Sequence, residues 1–592
     1  MFEQLLEAAR QLDDASLLPD APELLLSTVP GDFSLDHIRS LATETQDKSD
    51  TTAVLSAIYV ALRSNKLGTQ LHEDGEYKTA LEDITLQVGQ MMIPICSGTT
   101  FDEDSTDYTA LSHNGLLGLH ILSIILTLPP GGGLILPTRT LLSIIAFTNQ
   151  DDPWTSSSCA ELAQSLLSEY FKNISSSQAT KPAPLPSQLS IRDARAERKS
   201  GEKLPKTERA RFITEDVLTG FLRPIFAKSR PTTVTASGRP AAFPEPPSRY
   251  AQGDGFGGGG GADNITVTKP WRYTHRYAVT MFEWSVENAD TELLQEHWPL
   301  YTPVLLTLLD EPQPTSLKLR SLSIFRNFWR LCPEGLLSRT GLAEVFEQAV
   351  FPTVLSLPSL TPEAESCDLL AAAYPALFDM AGLEDVNSEV DENESADIRP
   401  ESMDDRKASD KKDLQSKGFS EAQRKLLDKL VREGIMVGYH HAKQHIRLVD
   451  FFCQTLRRLV GGMGILSVKY LKDIVPMISE ILVDPFGTKY PLALLSATHL
   501  LQAILQACWP RIPNYCNEII KIAMLSWLNI EDEDSFPSDK QTKAELEQEL
   551  IKTVEMLSAI MVAAKLDMSV RVGPLVAKDP QLGSLFTKHE AK

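Results

Sequence analysis

Three histidines in the C-terminal part of the chain have a spacing that could bind a metal ion. His440, His441 and His445 fall on one predicted helix, and His441 and His445 are four positions apart, on one helix face. Such a pair can supply two ligands to zinc. The glutamate of an HExxH zinc-protease helix is missing, and the sequence offers no third ligand nearby. We therefore interpret the three histidines as surface or core residues and expect no metal or other cofactor.

The other residue patterns with chemical potential are explained more simply by structure. The glycine run of residues 253–263 lacks the Lys-Ser/Thr pair of a phosphate-binding loop, and no strand precedes it. The acidic pairs Asp310–Glu311 and Glu531–Asp534 fall in predicted turns, where carboxylates are solvated or cap helices. Local motifs that would pair a nucleophile with a base are also missing. We expect a protein that is not an enzyme; an active site assembled from distant residues is the alternative.

Charge and thiol content limit the partners and the compartment. The net charge of −22 repels nucleic-acid phosphates and anionic membranes, so we expect neither direct nucleic-acid binding nor membrane insertion. The most apolar stretch, Gly115–Leu128, ends at two prolines before it reaches the ~20 residues of a membrane span, and it predicts a buried helix. The seven cysteines are widely spaced and include no CxxC pair, which is typical of reduced thiols in the cytoplasm and nucleus.

Apolar residues recur at helical spacing along most of the chain, and no segment shows the alternation of a strand. Many of the predicted helices form pairs with a period of roughly 40 residues, as in HEAT and armadillo repeats. Prolines such as Pro303, Pro375 and Pro476 suit the kinked first helix of such a pair. We predict an all-α fold, an α-solenoid of degenerate HEAT/armadillo-like repeats with long disordered inserts, which exposes a long surface for binding proteins.

Changes in composition along the chain predict five segments. Polar, Pro-rich and Gly-rich stretches cannot bury enough apolar surface to offset their ordering entropy. The predicted segments are an N-terminal helical block at 1–173, a flexible linker at 174–269 that could hold one helix at 209–226, helical repeats at 270–383, an acidic disordered insert at 384–418, and C-terminal helical repeats at 419–592.

The most distinctive segment is WPLYTPVLLTLLDEPQPTSLKLRSLSIFRNFW at residues 298–329, which predicts one helix pair. Most of its apolar residues are explained by packing, since Leu305 and Leu308 fall on one helix face and Leu322 and Phe325 on the next. The segment is also similar to the Tti-two family, the second Tel-interacting protein, and a fungal-type member is expected. The residues that carry the resemblance are Trp298, Pro299, Pro303, Leu305, Leu308, Asp310, Glu311 and Lys318.

Three further segments support this resemblance, which covers about residues 270–530. They are GIMVGYHHA at 434–442, SVKYLKDIVPMISEILVDPF at 467–486 and ACWPRI at 507–512. The resemblance implies a non-enzymatic co-chaperone subunit that assembles with Tel-two-like and Tti-one-like solenoid proteins. It further implies that this complex acts with the heat-shock chaperone machinery to mature the phosphatidylinositol-3-kinase-related kinases of Tor signalling, the DNA-damage response and telomere maintenance.

The resemblance also suggests where partners bind. The candidate partner-binding residues are Trp298, Pro299, Pro303, Asp310, Glu311 and Lys318. Trp298 is either part of the core or a partner contact, whereas Asp310 and Lys318 are expected at the exposed turn end of the helix pair. A solenoid adaptor for nuclear transport or trafficking is the alternative function.

Overall fold

The structure, a computed structural model, describes most of the chain and is helical. The described residues are 2–11, 23–44, 50–64, 74–96, 108–128, 134–179, 208–229, 231, 233–235, 238–241, 269–310, 314–333, 335–383, 418–532 and 540–586. Within these ranges the chain forms no strand, and an isolated bridge joins Val234 and Pro240. The prediction of an all-α fold is confirmed, while the predicted acidic insert at 384–418 lies almost entirely outside the described residues.

The chain divides into two compact units, whose boundary differs from the predicted segments. Unit 1 consists of Met1–Glu311 and Arg330–Val345, and unit 2 of Pro312–Trp329 and Phe346–Lys592. The N-terminal block and the helices at 270–310 therefore belong to one unit, because they share a core. The predicted boundary at 269/270 is not a division between compact units, and the observed one falls inside the Trp298–Trp329 segment.

Unit 1 is built from helices that pack in two layers. Its helices are α1 Glu3–Arg10, α2 Glu23–Thr28, α3 Leu35–Glu44, α4 Thr51–Arg63, α5 Asp74–Met92, α6 Thr109–Thr127, α7 Thr138–Ile145, α8 Ser157–Ala179, α9 formed by Glu208–Arg211, Phe212–Leu222 and Arg223–Phe226, α10 Pro270–Tyr273, α11 Ala278–Glu287 and α12 Thr291–Asp310. One layer contains α3, α5, α7 and α11, and the other contains α1, α4, α6 and α8. Helices α3 to α6 each pack on the helix two positions along, which is the arrangement of a solenoid.

The apolar helix α6 is the only described helix long and apolar enough to cross a membrane. It packs between α4, α5 and α8, and its side chains Leu119, Ile121, Leu122 and Ile125 are buried there. Its apolar character is that of a core helix, as the sequence predicted.

Helix α9 is the one helix that the sequence allowed within the predicted linker at 174–269. Its central turns, Phe212–Leu222, are π-helical, and Phe212, Ile213, Val217 and Leu218 are buried. Phe212 contacts Trp284 of α11 edge to face, and α9 also packs on α12. The helix that the sequence allowed at 209–226 is therefore present, and its burial comes from distant helices that the flanking composition does not reveal. Helix α8 also runs past the predicted boundary at residue 173.

The remaining helices lie mostly in unit 2. They are α13 Thr315–Leu331, which ends in unit 1, α14 Leu336–Arg339 of unit 1, α15 Leu342–Val350, which begins in unit 1, α16 Glu363–Ala381, α17 formed by Glu421–Lys429, Leu430–Met436 and Val437–Ala442, α18 Ile446–Met463, α19 Leu471–Leu482, α20 Pro491–Ala507, α21 Ile512–Glu531, α22 Lys540–Ala563, α23 Ser569–Lys578 and α24 Gly583–Phe586. Short 3₁₀ turns at Phe351–Leu355, Gly464–Tyr470, Gly487–Lys489 and Pro580–Leu582 join some of them.

The helices of unit 2 also form two layers of a solenoid. Helices α16, α18, α20 and α22 lie side by side in one layer, and α17, α19 and α21 form the other. The side chains that join the first layer show that its helices run parallel. The hydroxyl of Ser496 donates to Asp450 at 2.5 Å, and the amide of Gln502 donates to the Thr553 hydroxyl at 3.1 Å. The α18–α19, α20–α21 and α22–α23 turns therefore lie along the same edge of unit 2.

Candidate partner-binding sites

The Trp-Pro segment forms a kinked helix, α12. Both Pro299 and Pro303 lie inside it. Proline has no N–H, so Pro303 cannot donate the helical hydrogen bond to the Pro299 carbonyl. Two nearby threonine hydroxyls also bond back to the helix: Thr302 donates to the Trp298 carbonyl at 2.9 Å, and Thr307 donates to the Pro303 carbonyl at 2.7 Å. Threonine hydroxyls that bond back to the helix in this way favour bending.

A loop from the predicted linker packs against this kink. The loop is closed by backbone hydrogen bonds between Thr235 and Arg239 and between Ala241 and Thr233, both 2.8 Å long. At its tip, Gly238 has a φ of +72°, and a Cβ at this position would overlap the Pro299 carbonyl and Cα. The kink is therefore covered by the protein's own backbone, and only glycine fits at the contact.

The structure places the other candidates of α12 along this kinked helix. Trp298 is half-buried, intermediate between the core position and the partner contact that the sequence left open. The following residues Tyr301, Leu305 and Leu308 are fully buried. Asp310 is the last residue of the helix and is exposed. Most of the segment is therefore packing, as its apolar spacing indicated.

The remaining candidates do not join α12 in one unit. Glu311 lies outside the described residues. Lys318 is half-buried in the first turn of α13 and belongs to unit 2. Helix α13 is fixed within unit 2 by Arg326, which pairs with Asp379 of α16 at 2.9 Å. The six candidates are therefore divided between the units, and whether they contact a partner stays a prediction.

The three histidines do not lie on one helix. His440 and His441 are exposed near the end of α17, which stops at Ala442. His445 follows a turn and pairs with Glu363 of α16 at 2.9 Å. The prediction that all three share a helix was wrong because the turn before α18 interrupts the helical repeat. Among the described residues, no group of three or more His, Cys, Asp or Glu side chains is placed to hold a metal ion.

A small cavity in unit 2, which the sequence did not indicate, lies beside the α19–α20 turn. Its volume is about 100 Å³, and its apolar walls include Ile446, Val449 and Leu494. Among its lining residues, the Glu480 carboxylate accepts hydrogen bonds from Lys443 at 2.7 Å and from the Tyr439 hydroxyl at 3.1 Å. The three residues come from α17, the following turn and α19, so only the folded chain brings them together.

The pKa shifts of Glu480 and Tyr439 do not suit these groups for acid–base catalysis at neutral pH. Hydrogen bonding from Lys443 lowers the pKa of Glu480, against the opposing effect of burial. Burial and the nearby Glu480 charge raise the pKa of Tyr439. A general acid or base works best with a pKa near the working pH, whereas these two shifts lead away from it. The arrangement fits a structural link between helices.

The thiols also have acidities that oppose nucleophilic chemistry. All seven cysteines are described and unpaired. Burial raises the pKa of Cys332 to about 12 and that of Cys508 to about 11. A thiol with such a pKa is protonated at neutral pH and is a poor nucleophile.

Comparison with known proteins gives a family match. The model of the Tti2 family matches residues 140–489, more than half of the chain. No curated protein matches the chain. Among solved structures, the chain is similar to Kap121p in "Crystal structure of Kap121p bound to Pho4p", with 9% sequence identity and a TM-score of 0.34. This similarity covers 98% of the present chain and 47% of the other, so the chain spans about half the length of Kap121p.

Proposed function

Because the chain belongs to the Tti2 family, a family of scaffold and co-chaperone subunits, we propose that it assembles with Tel-two-like and Tti-one-like proteins. In this complex it supports the maturation and stability of the phosphatidylinositol-3-kinase-related kinases, with the heat-shock chaperone machinery as an indirect partner. The protein acts without a catalytic site or cofactor, in the cytoplasm and nucleus.

The family match over residues 140–489 is the observation that carries this proposal. It extends from α7 of unit 1 into the α19–α20 turn of unit 2. Two units built from stacked helices also suit a scaffold, because stacking leaves long helix edges available for protein contacts.

Acute depletion of the protein from cells tests the proposed role. We expect the levels of Tor and DNA-damage-checkpoint kinases to fall over hours while their messenger RNAs are unchanged, because newly made kinase is no longer matured. Re-expression of the full chain should restore the kinase levels. Unchanged kinase levels after complete depletion would contradict the proposal, and a nuclear import defect in their place would favour the transport-adaptor alternative.

The candidates Asp310 and Lys318 are tested separately as partner contacts. Asp310 is exposed at the end of its helix, and Lys318 lies in the first turn of the next one. We expect the double charge reversal Asp310→Lys/Lys318→Glu to leave the circular dichroism spectrum unchanged and to reduce co-purification of the Tti-one-like partner. Normal co-purification would show that both residues only stabilise the ends of their helices, and that the partner binds another surface of the chain.

A further inference from the structure

Unit 2 exposes large apolar side chains at three successive turns along one edge. Ile465 and Leu466 lie in the α18–α19 turn, and Trp509 lies in the α20–α21 turn. Val562, Leu566 and Val570 lie at and after the end of α22. Val562 is 70% exposed, Val570 72% and Trp509 57%, so these side chains contribute little to the core. We call these six residues the apolar edge.

The packing of unit 2 makes these turns neighbours. Helices α18, α20 and α22 run parallel in one layer, so their C-terminal ends face the same way. Arg571 in α23 donates to the Asn517 side chain of α21 at 2.8 Å, which ties the last turn to the one that carries Trp509. Neighbouring helices lie ~10 Å apart, so the three turns span roughly 20 Å.

Basic side chains lie in or directly after each turn of the apolar edge. Exposed lysine or arginine residues accompany each apolar group: Lys472 follows Leu466, Arg511 follows Trp509, and Lys565 precedes Leu566. Carboxylates also lie near these turns: Asp428 pairs with Lys469 of the α18–α19 turn, Asp473 follows Lys472, and Asp567 accepts the backbone N–H of Ser569. At physiological salt the Debye length is about 8 Å, so these local charges act on a bound segment more strongly than the remote net charge.

The backbone at Lys565 points to a role beyond folding. Among the described residues, Lys565 is the only non-glycine residue with a positive φ, at 59°. It ends α22 in a Schellman turn, in which the Leu566 N–H reaches the Met561 carbonyl at 2.9 Å. Glycine is strongly favoured at this position, so a lysine there is less stable than the fold requires. A charged residue at a strained position is a reason to look for a binding role.

We propose that the apolar edge of unit 2 binds an acidic amphipathic helix of a partner protein. A helix of about 14 residues covers 20 Å at 1.5 Å per residue, so its apolar face reaches all three turns. Acidic residues beside that face meet Lys472, Arg511 and Lys565. That the partner is a protein rests on the proposed function. The inference adds which surface of unit 2 binds the partner and which side chains the partner must present.

Binding is measured with the purified full chain and synthetic peptides. The probe is an 18-residue fluorescein-labelled peptide with leucines at i, i+3, i+4 and i+7 spacing and glutamates elsewhere. The matched peptides replace every glutamate by lysine, or every leucine by serine. We expect fluorescence anisotropy to show binding of the Glu–Leu peptide and at least tenfold weaker binding of both matched peptides.

Variants of the protein assign the binding to the apolar edge. Trp509→Ser and Leu566→Ser should each weaken the Glu–Leu peptide about tenfold, as expected for a central apolar contact. Phe486→Ser is the control, because Phe486 is 70% exposed in a turn at the opposite end of the helices. Arg511→Glu/Lys565→Glu should reverse the preference and favour the Lys–Leu peptide.

Lys565→Gly separates binding from folding. Glycine relieves the positive φ, so we expect a higher melting temperature together with about threefold weaker binding of the Glu–Leu peptide. Equal binding of the Glu–Leu and Lys–Leu peptides would overturn the proposal. A loss of Glu–Leu binding in Phe486→Ser as large as that in Trp509→Ser would overturn it as well. These measurements use the purified chain alone, so their failure is distinct from that of the depletion experiment, which tests the proposed function.

Discussion

At the residue scale, Asp428 shows how one side chain joins successive elements of unit 2. Its carboxylate accepts hydrogen bonds from Lys469 at 2.9 Å, from the Tyr470 hydroxyl at 2.9 Å and from Arg432 at 3.2 Å. Burial acts to raise the pKa of Asp428, but these three hydrogen bonds outweigh it and lower the pKa to about 2. The ionised carboxylate is therefore stabilised by the folded state.

This shift predicts how the stability of the protein depends on pH. A carboxyl group with a lowered pKa stabilises the fold above its unfolded pKa of about 3.9, and the stabilisation is lost as the pH falls towards 2. Because Asp428 is partly exposed, we expect Asp428→Asn to cost only about 1 kcal/mol at pH 6. Urea unfolding at pH 6, 4 and 3 should show the difference from the parent protein shrinking as the pH falls. If the difference in unfolding free energy between the variant and the parent protein is the same at all three pH values, the loss of stability comes from changed packing and not from the lost charge.

Trp298 is a second residue whose role depends on its degree of burial. It is half-buried, whereas Tyr301, one turn further along α12, is fully buried. Truncation of a fully buried aromatic residue costs about 3–5 kcal/mol, so we expect about 4 kcal/mol for Tyr301→Ala and about 2 kcal/mol for Trp298→Ala. Thermal or urea unfolding measures both values. Equal losses for the two variants would show that Trp298 belongs to the core.

At the element scale, the kink of α12 and the loop that covers it form one structural feature. Gly238→Ala should introduce both an unfavourable backbone conformation and an overlap with Pro299. Gly335→Ala is the matched control, because its φ of +73° is nearly the same but the nearest atom to an added Cβ is 4.0 Å away. We expect about 1–2 kcal/mol for the control and at least ~3 kcal/mol for Gly238→Ala, measured by denaturant unfolding. Similar losses would show that the loop moves away from the kink at little cost.

Helical spacing was enough to predict which faces of the helix pair are buried. Leu305 and Leu308 in α12, and Leu322 and Phe325 in α13, are all fully buried, as their periodicity indicated. Periodicity works here because it depends only on residues within one helix. Periodicity does not show where a helix ends when the turn contains no proline or glycine. This is why His445 was wrongly placed on the same helix as His440 and His441.

Features that depend on distant residues were not predictable in this way. The contact of Gly238 with Pro299 joins positions far apart in the sequence, and neither residue type indicates its partner. Glu480 likewise contacts Lys443 and Tyr439, which precede it by about forty residues and belong to α17 and the turn after it. Exposure of Trp509 could be suspected from its place between a cysteine and a proline in a turn, but it depends on which neighbouring helices cover that turn.

At the scale of the whole molecule, two helical units are joined within the segment that most resembles the Tti-two family. The sequence supplied the helical class and the family, because periodicity and short motifs survive divergence of the repeats. It did not supply the division into units, because this depends on which helices share a core. The N-terminal helices and α9 to α12 share one core through contacts such as Thr280 with Asp152, whose hydroxyl–carboxylate distance is 2.5 Å.

The glycine-rich tract tests how much of the chain the fold requires. Residues 251–262 lie outside the described residues, and their composition indicates few buried contacts. We expect deletion of this tract to change the melting temperature of the purified protein by less than about 2 °C, because few stabilising contacts are lost. A larger fall in the melting temperature would show that the tract packs on the helices.

The most direct test of the central claim is purification of the tagged full chain from cells, with its partners identified by mass spectrometry. The account predicts that Tel-two-like and Tti-one-like proteins co-purify in amounts close to equimolar with the chain, with phosphatidylinositol-3-kinase-related kinases present at lower levels. Recovery of the chain alone, or with transport factors and cargo in place of these two proteins, would contradict its assignment as a subunit of this co-chaperone complex.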